Sequence, residues 1–291
     1  MHYNELDKLS DYELKALCIP IEHCVSIKTG IIEESTLVEL EQRGFDQAPV
    51  LQSDDVLLGL VETKRLRTLY DNNESLLSND PGVCDERHLF YIGPSGTTVA
   101  HILEKMSQQR AVLVVRGSSA TECGYMDRIY GLLTISDLNR QPLRAVLYRL
   151  LAGLELSLAV LVGNRFQDPW TWVKTLGDEH QVRILGYWEL TKRRGVDVGP
   201  ITATTLAQLI QVIAKCKELA KELGYRSPSE FSTRTGCIPE LRNCVMHPVR
   251  PLILDQHDVG RVNATVTAII DLYSRVLRCT DYSCKLSSNM A

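Results

Sequence analysis

The sequence predicts an α+β portion followed by an all-α portion, and three observations predict it. Two stretches within residues 1–142 share one plan of helix, strand, turn, strand and helix. Strand signals then stop at Pro142, beyond which apolar residues recur only at helical spacing. The composition is that of a globular protein, with 291 residues, 44% hydrophobic and 23% charged. At ~100–200 residues per domain this length holds about two, so the domains are drawn at 1–142 and 143–291. A disordered chain, a collagen-like repeat and a small disulfide scaffold are excluded.

In the first copy, Thr36–Arg43 reads as a short amphipathic helix. Gln47–Val50 leads into an apolar strand, a turn follows at Ser53-Asp54-Asp55, and Val56–Val61 is the second strand. A helix starts at Thr63–Tyr70. In the second copy, Thr98–Gln109 is the helix and Ala111–Val115 the strand. After a loop at Gly117–Asp127 come the strand Ile129–Thr134 and a helix opening at Ile135–Arg140. Two copies in ~150 residues make an internal repeat whose halves pack as one pseudo-symmetric unit.

The back portion opens with Pro142 in a first helical turn, where its missing N–H does no harm. Helical periodicity runs to Val162, restarts at Asp168-Pro-Trp170, and continues over Leu176–Arg194 up to Gly195. Thr202–Leu223 is the clearest helix, with Leu206, Leu209, Ile210, Ile213, Leu219 and Leu223 on one face. A short helix starts at Ser227-Pro-Ser-Glu230, and Glu240–His247 and Asp258–Arg278 complete a bundle of four main helices and a short extra one.

Charge and thiols bound the class of partner. Residues 1–164 carry 15 Lys+Arg against 23 Asp+Glu, a net of −8, whereas residues 165–291 carry 17 against 13, a net of +4. The whole is acidic at −4, which argues against tight nonspecific nucleic-acid binding. The nine cysteines are odd in number and without a Cys-x-x-Cys pair, and residues 1–15 lack an apolar leader core. Together these predict reduced thiols in a cytoplasmic protein. The best membrane-span candidate, Leu143–Val162, holds Arg144, Arg149 and Glu155, so it reads as a buried helix and no membrane partner is expected.

Gly44-Phe-Asp-Gln-Ala-Pro-Val50 with Val56-Leu-Leu-Gly-Leu-Val61, and Gly131-Leu-Leu-Thr-Ile-Ser-Asp-Leu138, resemble the two halves of a CBS-domain pair (a Bateman module) over residues 15–142. The resemblance implies a regulatory adenosine nucleotide (AMP, ADP or ATP) in the cleft between repeats, bound by a Gly-x-x-Thr-x-x-Asp element. Gly131, Thr134 and Asp137 match that element. The family's Asp accepts from the ribose hydroxyls and its Thr reaches ribose or phosphate. Asp137 also suits a helix cap. Arg140 and Arg144 are four apart and could meet phosphates or form a solvated basic face. In the first repeat, Glu62 and Arg65 replace the hydroxyl and the acid; an arginine cannot accept from ribose, so one site is expected to be degenerate.

Leu241-Arg-Asn-Cys-Val-Met-His-Pro-Val-Arg-Pro-Leu252 sets Arg242 and His247 in an Arg-x4-His arrangement with Asn243 after the arginine. In its helical context this resembles the HEPN family over residues 142–280. The resemblance implies a homodimer with a shared cleft that cuts RNA. His247 would be the general base or acid, Arg242 would stabilise the phosphorane-like charge, and Asn243 would orient the histidine or hold phosphate. Attack by the 2′-hydroxyl needs no metal, and none is expected. On one ideal helix Arg242 and His247 stand ~140° apart, so a single helix converges them poorly. His247-Pro248 also suits a plain helix end, and Arg242 could pair with Glu240. Where a toxin subgroup of the family carries a modified tyrosine, this chain has Val249.

Cys237, Cys244, His247 and His257 match no common zinc spacing. Trp170, Trp172 and Trp188 read as packing residues, and Lys192-Arg193-Arg194 as a helix end or a phosphate contact. The combined expectation is an endoribonuclease regulated by adenosine nucleotide, coupled through the helix from Pro142. The alternative is a non-catalytic nucleotide-sensing adaptor that uses its helices for dimerisation or docking.

Overall fold

The computed structural model describes residues 6–52, 56–80, 83, 88–92, 96–117, 129–196 and 198–288, with side chains to residue 279. The turn expected at 53–55, most of the loop at 117–127, Cys84, Cys123 and the Cys284 side chain lie outside these residues.

Strand β1 (Lys8–Leu9) and helix α1 (Asp11–Leu17) come first, and Ser10 with Glu13 forms a reciprocal capping box at the α1 start. The first repeat comprises β2 (Ile27–Lys28), α2 (Glu34–Gln42), β3 (Gln47–Leu51), β4 (Leu57–Glu62) and α3 (Thr63–Asp71). Its sheet order is β2-β3-β4, with β2 parallel and β4 antiparallel to β3. The second repeat comprises β5 (Leu89–Ile92), β6 (Thr97–Thr98), α4 (Val99–Gln108), β7 (Ala111–Arg116) and β8 (Ile129–Thr134). Its sheet order is β5-β7-β8 with the same pairing senses, while β6 pairs with β1.

The repetition extends to irregularities. Register shifts fall between Val50 and Leu51 in one sheet and between Val114 and Val115 in the other. The residue before each shift faces a glycine, Gly59 or Gly131. An apolar cluster including Leu51, Leu57 and Leu60 from one sheet and Leu113, Val115 and Leu132 from the other joins the repeats. Each such side chain contributes ~1.5–3 kcal/mol of burial, enough to hold two small sheets that would be marginal alone.

The expected helix at Ile135–Arg140 is instead a 3-10 turn at Ser136–Asn139, and Arg140 is extended with ψ 158°. Helix α5 (Gln141–Arg165) starts afresh after it, so Arg140 and Arg144 do not share a helix.

The remaining helices are α6 (Pro169–Val173), α7 (Asp178–Arg193), α8 (Leu206–Lys215), α9 (Lys217–Glu222), α10 (Pro228–Thr235), α11 (Ile238–Met246) and α12 (Gln256–Ser288). No strand occurs beyond residue 134 among the described residues. The single helix expected over Thr202–Leu223 is three pieces. Pro200–Ala203 is a 3-10 turn, Thr205 caps α8 with Gln208, and Cys216 (φ −105°, ψ 101°) separates α8 from α9. Helix α10 packs on α8 and α9, and α11 packs on α8. Trp172 is buried, Trp170 is exposed, and Lys192 lies over the Trp188 ring at 3.7 Å.

Helix α5 is long and apolar enough by length and composition to cross a membrane. Its Leu147, Leu150, Leu151, Leu154, Leu158 and Leu161 form a buried stripe at helical spacing, while Leu156 and Val160 are exposed.

The chain does not divide at one cut. One compact unit contains Lys8–Val146 together with Pro251–Asn263; the other contains Leu147–Arg250 and the residues from 264 onward, with Leu6 and Asp7. The segment from Pro251 thus packs with the two sheets, although the sequence reading placed it in the helical portion.

Candidate functional site

A cavity of about 840 Å³ lies in the unit that holds both repeats. Ile19 forms an isolated bridge with Leu132, each N–H donating to the other's carbonyl at 2.8 Å, which brings the lead-in of the first repeat against β8. Three further segments add to the wall. Gly44–Pro49 supplies Asp46, Gln47 and Pro49; the end of β8 supplies Thr134 and Ser136; and Pro251–His257 closes over them. β2 reaches only Val50 and Leu51, leaving Pro49 beyond its end, where a residue without an N–H leaves no ladder bond unmade.

Thr134 lines this cavity, whereas Gly131, Asp137 and Arg140 stand off its lining. Asp137 is 3% exposed. Its Oδ2 accepts from the Thr134 N–H at 2.8 Å and from the Thr134 hydroxyl at 2.6 Å. Its Oδ1 pairs with Arg140 Nη2 at 2.8 Å. Arg140 Nη1 donates to the carbonyls of Leu17 and Cys18. Asp137 thus bonds both Thr134 and Arg140, and the guanidinium of Arg140 is engaged by protein groups. Arg144 is buried, with Nε donating to the Asn139 carbonyl at 3.3 Å, so it is no solvated face. Gly131 answers a steric demand: φ is +146°, and a Cβ there would stand 2.2 Å from the Ile19 carbonyl oxygen.

Arg65 makes a two-pronged bond to Asp80 at 2.9 and 2.8 Å, and its guanidinium is spent there.

One side chain makes three hydrogen bonds to the backbone of the closing segment. Asn139 Nδ2 donates to the Ile253 carbonyl at 2.7 Å, and its Oδ1 accepts from the N–H groups of Leu252 and Ile253 at 2.7 and 3.1 Å. Leu252 and Ile253 are buried, and Gln256 Nε2 donates to the Met106 carbonyl. Asp255 caps α12 by accepting from the Asp258 N–H at 2.9 Å, and Asp258 accepts from the Leu254 N–H at 3.0 Å. Asp255, His257 and Asp258 bring one potential metal-ligand atom each within 4.8 Å of one another, but both carboxylates are already serving the helix start. His257 belongs to the unit that excludes Cys237, Cys244 and His247.

The charged groups on the cavity wall are Arg110, Asp46 and Asp255, with His23 and His257 as titratable neighbours. Cys24 also lines it, and its thiol is pushed up to about 11, chiefly by burial and then by Asp137 and Glu22. Burial drives the Cys18 thiol to about 12. Neither is a nucleophile at neutral pH.

Arg242 and Asn243 lie on α11, and His247 is the residue that ends it (φ −113°, ψ 84°), its N–H donating to the Asn243 carbonyl at 3.2 Å. Asn243 and His247 are exposed, whereas the Arg242 Nε is buried without a hydrogen-bond partner. Among the described residues no hydrogen bond joins these three side chains.

No protein-family model matches the chain, and no curated protein matches it. Among solved structures, a CBS domain protein from Shewanella oneidensis MR-1 aligns at 19% identity over 43% of this chain and 92% of its own, with a TM-score of 0.31. The CBS domain of a bacterial CNNM/CorC family Mg2+ transporter in complex with ATP aligns at 14% identity over 49% and 90%, TM-score 0.33. CbpB in complex with c-di-AMP aligns at 17% identity over 50% and 88%, TM-score 0.33.

Proposed function

We propose that the two repeats form a CBS pair whose cavity binds an adenine nucleotide bearing few phosphates, AMP rather than ATP, as a regulatory ligand in the cytoplasm. The observation that carries this reading is the 840 Å³ cavity set where two copies of one strand–helix–strand–strand plan meet. That size is within the ~300–1,000 Å³ typical of small-molecule sites. The Thr134 and Ser136 hydroxyls, 2.9 Å apart, face the ribose, and Asp137 acts behind them as a positioning residue. Arg110 meets one phosphate. With Asp46 and Asp255 on the same wall, a triphosphate would meet more negative than positive charge. Only one such site is expected, because Arg65 is engaged by Asp80. Calorimetric titration of AMP, ADP and ATP in EDTA tests it: AMP binds most tightly, and failure of all three to bind at millimolar concentration overturns it.

A second reading concerns Arg242, Asn243 and His247 as a metal-independent RNA-cleaving set completed across a homodimer. The buried, unpartnered Nε of Arg242 supports it, since such a donor is costly unless something supplies an acceptor. The exposed imidazole of His247 would take the proton of a 2′-hydroxyl, whose oxygen bonds to phosphorus as the P–O5′ bond breaks, giving a 2′,3′-cyclic phosphate and, once the departing oxygen takes up a proton, a 5′-hydroxyl end. Exposed Val182, Tyr187 and Leu190 on α7 offer apolar surface for a second copy. Wild type and His247→Ala are compared on mixed RNA in EDTA, with and without AMP. Cleavage lost in the variant supports the reading; equally intact RNA under every condition leaves the nucleotide-sensing adaptor.

A further inference from the structure

We propose that Gln47 and Gln256 together read an amino group on the bound base, so that the segment closing the cavity is part of its specificity determinant. The inference rests on the reading of the cleft as a nucleotide site and adds to it the chemical group recognised and the residues that recognise it.

Gln47 opens β3 in the first repeat, and Gln256 opens α12, far along the chain. Both line the cavity, and each has a buried Oε1 with no hydrogen-bond partner. The orientation of Gln256 follows from its surroundings: the amide nitrogen must face the Met106 carbonyl, to which it donates, so the oxygen faces the other way. Asn139 and the Asp255–Asp258 cap hold the segment that carries it. Two unpaired acceptors on residues that line one cavity call for donors on the ligand, because a polar group removed from water and left unpaired is costly. Phosphate and ring oxygens supply none. The 6-amino group of adenine supplies two N–H donors, and the ribose hydroxyls are met on the wall that carries Thr134 and Ser136.

The probe that isolates the amino group is purine riboside 5′-monophosphate, which is AMP without it. Calorimetric titration of the full chain compares AMP with this analogue on wild type, Gln256→Met and Gln47→Met. Wild type is expected to prefer AMP by about tenfold or more, and either substitution to weaken AMP by a similar factor with little change for the analogue. Gln47→Met leaves the Gln256–Met106 bond in place, so it reports even where Gln256→Met unfolds the closing segment. If wild type binds AMP and the analogue alike, water or ribose satisfies the two oxygens; the inference falls and the cleft reading stands. If the preference survives in both variants, other groups read the amine and these residues are excluded. If wild type binds no adenine nucleotide, the cleft reading fails and the inference with it.

Discussion

The side-chain amide of Asn139 bonds the backbone of Ile253 on both edges, donating to its carbonyl at 2.7 Å and accepting its N–H at 3.1 Å, as a neighbouring strand would. The same oxygen takes the Leu252 N–H at 2.7 Å. One side chain thereby satisfies three backbone groups across a separation of 114 residues in sequence.

Asn139→Ala leaves those groups buried and unpaired. A loss of ~2–4 kcal/mol in unfolding free energy is expected, at ~1–3 kcal/mol for an orphaned group with partial rescue by water. Chemical denaturation measures it, and limited proteolysis within 248–256 should accelerate. Unchanged stability and unchanged cleavage would show that the segment is held by its apolar contacts alone.

Gly131→Ala tests the close approach at the Ile19–Leu132 bridge. The new Cβ would lie 2.2 Å from the Ile19 oxygen, on backbone with φ +146°. The bridge must open, at a cost of ~3 kcal/mol or more from strain and lost hydrogen bonds. A clear fall in thermal midpoint and weaker AMP binding should appear together in the purified variant.

Asp137→Ala removes the acceptor of the Thr134 N–H and hydroxyl and leaves Arg140 without its carboxylate partner. A stability loss of ~1–3 kcal/mol without ligand is expected, since the Thr134 groups are part-buried and the Arg140 side chain is half in solvent. A residue that served the ligand alone would leave the ligand-free midpoint unchanged, so thermal melting before any nucleotide is added decides the matter.

Cys24 offers a chemical report on the cavity. With its thiol raised to about 11, little thiolate exists at pH 8, and alkylation by iodoacetamide should stay slow there and rise steeply toward pH 11. Exposed Cys237 should react first, as peptide mass spectrometry would register. Saturating AMP should slow Cys24 further; equal rates with and without AMP would place the ligand elsewhere.

Asp258 predicts an acid limb. The Leu254 N–H, and after it Arg261, hold its carboxyl below the usual carboxylate value. A depressed folded-state value means the stabilisation is complete above the ordinary carboxylate range and fades as pH falls through the folded value. Asp258→Ala should therefore lower stability by ~0.5–2 kcal/mol at pH 7, as loss of a helix-start acceptor does, with the difference from wild type narrowing in strong acid. Urea denaturation across pH 2–7 measures both.

Local patterns told much of the fold. Continuous apolar runs broken by turn residues marked β3, β4, β7 and β8, and the 3.6-residue period marked α2, α4, α8 and α12. The two-residue strands β1, β2 and β6 were missed because so short a segment carries no period. The break at Cys216 was missed because apolar spacing continues across it. At the site, Thr134 and Asp137 could be found from one contiguous element, and the ambiguity of Asp137 between cap and ligand was visible there too. The Asp255–Asp258 cap had a signal in its spacing; the pairing of Asn139 with Ile253 had none.

The sequence by itself determined the duplication, the change from strands to helices at Pro142, and the residue types at Arg242 and His247. These rest on neighbour-to-neighbour spacing. Tertiary structure alone decided that Arg140 donates to the carbonyls of Leu17 and Cys18, far away along the chain. It also decided that Pro251–Asn263 joins the two sheets, and that Gln47 and Gln256, each with a buried unpaired oxygen, line one cavity. Those outcomes depend on which distant groups meet once water is excluded, and a polar atom's partner at long range leaves no period in the chain.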